Sequence, residues 1–120
     1  MSHPYYHAKS SAKRFGGVPD DYLKLHQFPD QSKAHIADAR HRMWLHNAAG
    51  CFLGEQVFGV TIKNSDNKDV PVRLVLETHI LEDLSWIPSL SECFESMELR
   101  DWMGKKSKPL SKSKTLNDNP

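Results

Sequence analysis

Seven histidines occur among the 120 residues, and three of them (His35, His41 and His46) fall within one stretch of helical character. Imidazole is the side chain whose pKa lies nearest neutrality, and it is the commonest nitrogen ligand of metal ions in proteins. So many histidines in a small chain indicate proton or metal chemistry, or else a set of structural histidines. The residues around each histidine must separate these alternatives.

The segment Glu77–Asp83 carries the most specific spacing. His79 and Asp83 lie one turn apart on the same face of a predicted helix, and Glu82 lies on an adjacent face. A carboxylate four residues from a histidine can fix the imidazole tautomer or supply a second ligand to a divalent metal ion. The alternative is a surface pair of little energetic weight. Because apolar residues share the His79 side of the helix, we expect His79 to face the core and to need polar partners there.

The natural partners belong to a long helix that the sequence predicts over Gln31–Ala49, with Asp30 as its N-cap and Gly50 as its stop. His41 lies on the broad apolar arc of this helix. It is therefore either a neutral core histidine with one hydrogen bond or a functional group that meets His79.

The border of the same helix carries Asp38, Arg42 and His46 in successive four-residue steps. This arrangement is either a solvated polar stripe or an anion-binding face, with Arg42 as the bidentate group and His46 as a hydrogen-bond donor. No two histidines of the helix have the four-residue spacing of a bis-histidine metal site, and His35 lies about 16 Å from His46 along the axis. Any metal ion here must therefore take ligands from another segment.

The elements that position these residues are short. One alternating stretch, Val60–Lys63, is typical of a half-buried strand. Its predicted partner, Val70–Val72, contains Pro71 and should be an edge strand that packs on helices. The predicted helical segments are His7–Phe15, Asp20–Gln27, Gln31–Ala49, Cys51–Phe58 (a short turn), Arg73–Ser85 and Leu90–Met103. We therefore expect a mainly α fold with a small β-hairpin, in a single compact helical domain.

Length and charge suggest the domain boundaries. A chain of 120 residues suits one domain, which we assign to residues 1–103. Residues 104–120 hold five lysines and one aspartate and are rich in serine, so we expect a disordered tail. Because the overall net charge is +1, residues 1–103 carry −3, which argues against a protein that coats duplex nucleic acid.

The sequence does not carry the signals of several other protein classes. The polar start and the lack of a long apolar run argue against a signal peptide and a membrane span, so we expect a cytoplasmic protein with no membrane partner. Cys51 and Cys93 have no CxxC spacing and lie among apolar residues, which is typical of reduced core cysteines. No nucleophile elbow is present. We expect His26 and Lys33 to lie at the surface.

Five short motifs run through the chain: a histidine-containing start with paired serines and glycines, a helix entry, an Arg-His-Arg helix, a Glu-x-His-x-x-Glu-Asp segment and Ile-Pro-Ser. The residues that form them are Tyr6–Ser11 with Gly16 and Gly17, Asp30–Lys33, Arg40–Arg42 with His46 and Gly50, Glu77–Asp83, and Ile87–Ser89. With these motifs, from about His3 to Phe94, the chain resembles a family of small uncharacterised bacterial and phage proteins. It departs from the pattern at Ser85, where glycine is expected. The resemblance implies a prokaryotic or phage setting and one common site, and it brings no established activity.

The leading hypothesis is a metal-assisted hydrolase that acts on a phosphate-bearing substrate, a nucleotide or a nucleic acid. A divalent ion (Zn, Mn or Fe) would activate water. The residues predicted to hold this ion are His41, His79 and Asp83, with Glu82 in reserve.

Two further roles complete this hypothesis. Phosphate charge would be neutralised by Arg42, Arg73 and Lys33. A general acid or base would be His46 or His7.

Two alternatives use the same residues differently. The chain could be a non-catalytic phage or bacterial accessory protein that binds a nucleotide-like ligand or a host protein, with a pocket completed by a homo-oligomer interface. It could also be a scaffold whose histidines are structural. Both functional hypotheses require His41 and His79 to meet in one cavity.

Overall fold

A computed structural model describes residues 3–104, which form a mainly helical fold with one small antiparallel hairpin, as predicted. The α-helices in this range are α1 (Pro4–Phe15), α2 (Leu23–Gln27), α3 (Arg42–Leu45), α4 (Ala48–Phe58), α5 (Val72–Leu84) and α6 (Leu90–Phe94). The strands are β1 (Thr61–Lys63) and β2 (Asp69–Pro71). Short 3-10 helices span Pro19–Asp21, Gln31–Ala34, Ala39–His41 and Asp101–Met103.

Helix α5 is the central element, because α1, α2 and α4 all pack against it. Its apolar side chains are buried, with Val75 and Leu76 at the middle of the core. Helix α4 approaches closely at Gly54, where a Cβ atom would lie 2.1 Å from the Leu76 Cδ1 atom. The side of α5 that faces the core therefore includes His79, as the apolar pattern predicts.

The hairpin is tied to the helices through its loop. Strands β1 and β2 pair with Ile62 opposite Val70, and Pro71 lies opposite Thr61 at the end of the ladder. The Asn64 amide nitrogen donates to the Phe15 carbonyl oxygen and to the Tyr22 hydroxyl, while its amide oxygen accepts from two loop N–H groups. These contacts meet the prediction that a two-stranded hairpin must pack on helices.

The predicted long helix over Gln31–Ala49 is wrong. That stretch contains two 3-10 segments, the single turn α3, and the start of α4. Asp38 and Asn47 both adopt extended backbone conformations, and their side-chain oxygens accept hydrogen bonds from Arg40 N and Gly50 N, respectively. Such side chains compete with helical hydrogen bonding and so favour new helix starts. Gly50, predicted as a stop, instead lies in the first turn of α4.

The last predicted helix, Leu90–Met103, is also shorter in the structure. Helix α6 begins with a capping box between Ser89 and Glu92 and ends at Phe94. Beyond it Met97, Leu99 and Trp102 stay exposed, so no buried face stabilises a longer helix. Except for Gly104, the predicted tail lies outside the described residues.

The other four predicted helices occur with changed bounds, and the predicted Arg73–Ser85 helix is α5, which is shifted by one residue at each end. Helix α1 begins at Pro4 because Pro4 suits the first helical position and the His3 ring accepts a hydrogen bond from Tyr5 N. The predicted Asp20–Gln27 helix is divided at Tyr22. The predicted turn over Cys51–Phe58 is the larger part of α4.

Both cysteines are free thiols, as predicted. Cys51 is buried in α4, and burial raises the pKa of its thiol to about 12, which keeps it protonated at neutral pH. Cys93 is half-buried in α6. The Cys51 thiol therefore lacks the setting of a reactive nucleophile.

Among the helices of residues 3–104, none combines the length and the apolar character that a membrane crossing requires.

Ser85 ends α5 in a left-handed conformation, with φ 71° and ψ 0°, and its N–H donates to the Leu81 carbonyl oxygen. Glycine is the usual residue in this conformation because it has no Cβ atom to clash with the backbone. The turn expected of glycine at this position is therefore formed by serine, with some backbone strain.

We expect Ser85→Gly to raise the free energy of unfolding by about 0.5 to 1 kcal/mol, because the strain of a left-handed serine exceeds the entropic cost of the added glycine. Urea denaturation of both proteins measures this difference. Ser96→Gly is the control, since Ser96 is exposed and has a negative φ angle, and it should be neutral or destabilising. An equal or lower stability of Ser85→Gly would contradict the argument.

Candidate metal centre

Five imidazoles meet in the interior, and each is at most 2% exposed. They come from α1, α2, α5 and both ends of α3, so no single element builds the cluster. Two carboxylates, Asp30 and Asp83, lie among them with side chains only 4% and 3% exposed. The buried histidines are His7, His26, His41, His46 and His79.

Asp30 does not act as the predicted helix cap. Its side chain makes no capping hydrogen bond and faces the imidazoles instead. The Oδ1 atom lies 3.4 Å from His79 Nε2, 3.5 Å from His46 Nε2 and 3.6 Å from His41 Nε2. Lys33 Nζ lies 3.6 Å from the other oxygen. The Asp30 carboxylate is therefore shared among three histidine rings.

Asp83 contacts the cluster through both of its oxygens. Oδ2 lies 2.9 Å from His46 Nε2, in a hydrogen bond, and 3.4 Å from His79 Nε2. Oδ1 lies 3.3 Å from His7 Nε2 and 3.9 Å from Arg42 Nη2. Since His79 and Asp83 are one turn apart on α5, the predicted pair does form and it points inward.

Two hydrogen bonds in series fix the His79 ring through its Nδ1 atom. Its Nδ1 lies 2.9 Å from His26 Nδ1, and His26 Nε2 lies 2.7 Å from the Ser11 hydroxyl oxygen. Both nitrogens of His26 are thus occupied, and the ring of His79 is fixed with Nε2 toward the carboxylates. Such an outer partner is typical of histidines that bind metal ions.

The Nε2 atom of His41 faces the Asp30 carboxylate. Its Nδ1 lies 2.9 Å from the Asp38 carbonyl oxygen, which can only accept, so this nitrogen carries the hydrogen. In the neutral ring Nε2 is then an acceptor, and it faces Asp30 Oδ1 at 3.6 Å. Two acceptors face each other stably only when a proton or a cation lies between them.

Several buried polar atoms of this cluster have no hydrogen-bond partner among residues 3–104. Buried polar groups are nearly always paired, so such a concentration in one place needs an explanation. A closed structural network would satisfy its own members. The unpartnered atoms are His7 Nε2, both oxygens of Asp30, His41 Nε2, Arg42 Nε, His46 Nδ1 and His79 Nε2.

The electrostatics of the cluster keep its carboxylates ionised. Burial raises the pKa of Asp83, but contacts with His46, His7 and His79 outweigh it and hold this pKa far below its usual value. The pKa of Asp30 is lowered in the same way, chiefly by His79. Two buried negative charges therefore have to be balanced by cations.

The histidines respond in opposite directions. Burial, together with the neighbouring His79 and His7, lowers the pKa of His26 to about 3. Burial also lowers the pKa of His46, whereas the contacts of His79 with Asp30 and Asp83 outweigh burial and raise its pKa. His26 is therefore a neutral partner at pH 7.

Four donor atoms fit a metal ion. Asp30, His46, His79 and Asp83 each offer one atom, and all four atoms lie within 4.8 Å of one another. Donors about 2.1 Å from a tetrahedral ion lie about 3.4 Å apart. Three of the imidazole–carboxylate distances, at 3.4, 3.4 and 3.5 Å, match this spacing, and the fourth is 2.9 Å. These buried side chains could therefore hold a metal ion.

A second group, formed by His7, His26 and His79, also has nitrogens within 4.8 Å of one another. It fits an ion less well, because both nitrogens of His26 already make hydrogen bonds. The mixed nitrogen and oxygen group is therefore the candidate centre.

A family model described as "Domain of unknown function (DUF6915)" matches residues 2–103 of the chain. The chain belongs to this family. No curated protein and no solved structure matches it. The resemblance to an uncharacterised family is thus confirmed, and the function of the DUF6915 domain must be argued from its own residues.

The DUF6915 fold brings most of the predicted site residues together. Of the four predicted ligands, His79 and Asp83 offer donors to the candidate centre, and His41 Nε2 faces it across Asp30. Glu82 is one step removed, because its Oε1 atom accepts a hydrogen bond from His7 Nδ1 at 2.7 Å.

The residues predicted for catalysis and phosphate binding do not all lie at the candidate centre. His46, predicted as an acid or base, is itself a donor of the candidate centre, and Arg42 lies beside Asp83. Lys33 lies at the rim, next to Asp30. Arg73 is not part of the cluster, since its exposed guanidinium pairs with Glu55 of α4.

Sequence reasoning missed three members of the site. The sequence predicts Asp30 as a helix cap and His26 at the surface, and it places Ser11 only in the serine- and glycine-containing motif at the start of the chain. A signal existed, since His26 and Asp30 have the same four-residue spacing as His79 and Asp83. The Phe28-Pro29 step between them ends α2. His26 and Asp30 therefore do not share one helix, and the spacing was not recognised as a pair.

The buried neutral state of His26 predicts a pH dependence of stability in chelator-treated protein. Unfolded His26 takes up a proton near its usual pKa of 6.5, whereas folded His26 does so only near 3. The free energy of unfolding should therefore fall as the pH falls between these values, and the lowered pKa of His46 acts in the same direction. The raised pKa of His79 stabilises the protein fully below the unfolded pKa, and this contribution is lost only as the pH rises above that value through the folded pKa.

Denaturation at several pH values tests this prediction. The measured quantity is the slope of the free energy of unfolding against pH. Relative to the native sequence, His26→Asn should reduce this slope by up to about 1.4 kcal/mol per pH unit, which corresponds to one proton. His35→Asn is the matched control, because His35 is exposed. Equal slopes for the native protein and His26→Asn would show that burial does not keep His26 neutral.

Proposed function

We propose that this chain is a metal-dependent hydrolase of phosphate esters, with one divalent ion held by Asp30, His46, His79 and Asp83. The observation that carries the proposal is the convergence of four buried nitrogen and oxygen donors, of which Asp30 Oδ1 and His79 Nε2 have no hydrogen-bond partner within residues 3–104. So many unpartnered buried atoms in one place favour a bound cation, because a closed structural network satisfies its own members.

The chemistry of the donors narrows the choice of ion. Two imidazoles and two carboxylates form a borderline set, which suits Zn²⁺, Mn²⁺ or Fe²⁺. The two negative charges match one divalent cation. His41 is the candidate for an additional ligand, because its Nε2 faces Asp30.

An open cleft adjoins the cluster. It has a volume of about 370 Å³, and its walls include Arg42 and His46. Arg42 also lies beside Asp83, so its guanidinium bridges the cleft and the candidate centre. A phosphate group in this cleft would meet a planar cation that suits its oxygens.

His7 and Glu82 form a pair that could move a proton between the site and solvent. His7 Nε2 lies beside Asp83, and its Nδ1 is bonded to Glu82, whose side chain is 33% exposed. The pair therefore connects the interior to solvent. When bound, a divalent ion supplies an acidic water molecule and polarises a phosphoryl oxygen. The chain's own part is to hold the ion, bind the phosphate through Arg42 and transfer a proton through His7.

The first test is metal binding by the purified full chain. After treatment with a chelator, the protein should take up one equivalent of Zn²⁺, Mn²⁺ or Fe²⁺, measured by elemental analysis and calorimetry. His79→Ala should weaken binding more than about 100-fold, because a lost ligand costs more than a lost outer-shell partner.

Two further variants keep this test decisive if His79→Ala fails to fold. Asp30→Asn and Asp83→Asn preserve side-chain shape but remove a charged donor, and both should also lose the ion. His35→Ala should bind as the native chain does, since His35 is exposed and lies outside the cluster. A folded native protein that binds none of the three ions would contradict the proposal.

The second test is metal-dependent hydrolysis of phosphomonoesters and phosphodiesters, nucleotides included. Arg42→Gln should lower kcat/KM about 10- to 100-fold, and His7→Gln should lower kcat. The result against catalysis would be uptake of the ion without any turnover. A nucleotide that then raised the Tm would favour the accessory binding protein instead. A prokaryotic or phage setting, a cytoplasmic location and a homo-oligomeric state stay predictions from the sequence.

A further inference from the structure

An apolar pocket adjoins the cleft described above. Its volume is about 690 Å³, which is within the usual range for sites that bind small molecules. The walls carry the indole of Trp44 and the ring of Phe94, which are 48% and 37% exposed, together with Met43 and Met97. Exposed aromatic rings in a concave site are suited to stacking against a planar group.

The pocket is continuous with the cleft. Arg40 and Met43 line both of them, and both run along α3. In this single turn Arg42 is directed to the cleft and to Asp83, whereas Trp44 is directed to the pocket. A phosphate-binding group and an aromatic surface are therefore presented side by side.

The charges at the border of the pocket complement an anionic ligand. Among the described residues that line the pocket, Asp38 is the one with a carboxylate, and this carboxylate is already occupied by the Arg40 guanidinium at 2.8 Å. The buried Nε of Arg42 has no hydrogen-bond partner among the described residues. The combined site thus offers apolar aromatic walls at one end and cationic groups at the other.

We propose that this pocket is a nucleobase subsite, and that the substrate is a mononucleotide whose base stacks on Trp44 while its phosphate lies beside Arg42. The phosphate position rests on the proposed function, whereas the stacking surface rests on the pocket itself. The lining offers few groups that could read the edge of a base. The subsite should therefore accept different bases, as stacking platforms do.

The test compares two ligands that carry the same phosphate. Adenosine 5′-monophosphate and ribose 5-phosphate are titrated into the zinc-loaded full chain, and calorimetry gives each Kd. Adenosine 5′-monophosphate should bind at least about 10-fold more tightly, because only it has a base to stack. Trp44→Leu should abolish this preference. Trp86→Leu should keep it, since Trp86 is similarly exposed but lines neither the pocket nor the cleft.

The outcomes separate this inference from the proposed function. Equal Kd values for the two ligands, or a preference that survives Trp44→Leu, would overturn the base subsite and leave hydrolysis untouched. Trp44-dependent binding without turnover would support the subsite and argue against catalysis. Trp44-dependent binding of a single-stranded oligonucleotide, with no binding of the mononucleotide, would overturn the proposed occupant. Far-UV circular dichroism confirms that each variant is folded.

Discussion

Compensation of two buried negative charges is the constraint on which this structure depends. Asp30 and Asp83 are removed from water, and their desolvation is costly unless cations and hydrogen-bond donors surround them. Imidazoles from four helices, together with Arg42 and Lys33, supply that environment. The polar cluster therefore takes part in the packing of the helices as much as the apolar core does. A cation shared by the two carboxylates would offset part of their desolvation cost.

Interruptions of helical structure between residues 31 and 49 orient the side chains of the site. A continuous helix over 31–49 would place His41 and His46 on different faces. The two imidazoles could not then reach one common site. The extended residues Asp38 and Asn47 interrupt it, and α3 becomes a single turn held at both ends. Asn47 is fully buried, and its amide donates to the carbonyl oxygens at positions 43 and 44. Local side-chain hydrogen bonds thus decide the geometry of the centre.

Much of the fold could be predicted from sequence, because its signals are local. Alternation in Val60–Lys63 and the apolar spacing along α5 give the hairpin and the central helix, and the inward face of His79 follows from its neighbours. The break of the long helix could not be predicted, since helical propensity and Asx capping favour opposite structures and tertiary contacts decide between them. Asp30 was missed for the same reason: its role as a cap is a local one, whereas its contacts come from residues far along the chain.

The donors of the candidate centre are distributed from Asp30 to Asp83, and their outer partners reach back to Ser11. During synthesis, Asp30 and His46 are made before the residues of α5. The complete donor set arises only once almost the whole domain has been made and packed. If an ion is bound here, it could be held only after α5 has been made and packed, because a chain that ended before α5 would lack His79 and Asp83.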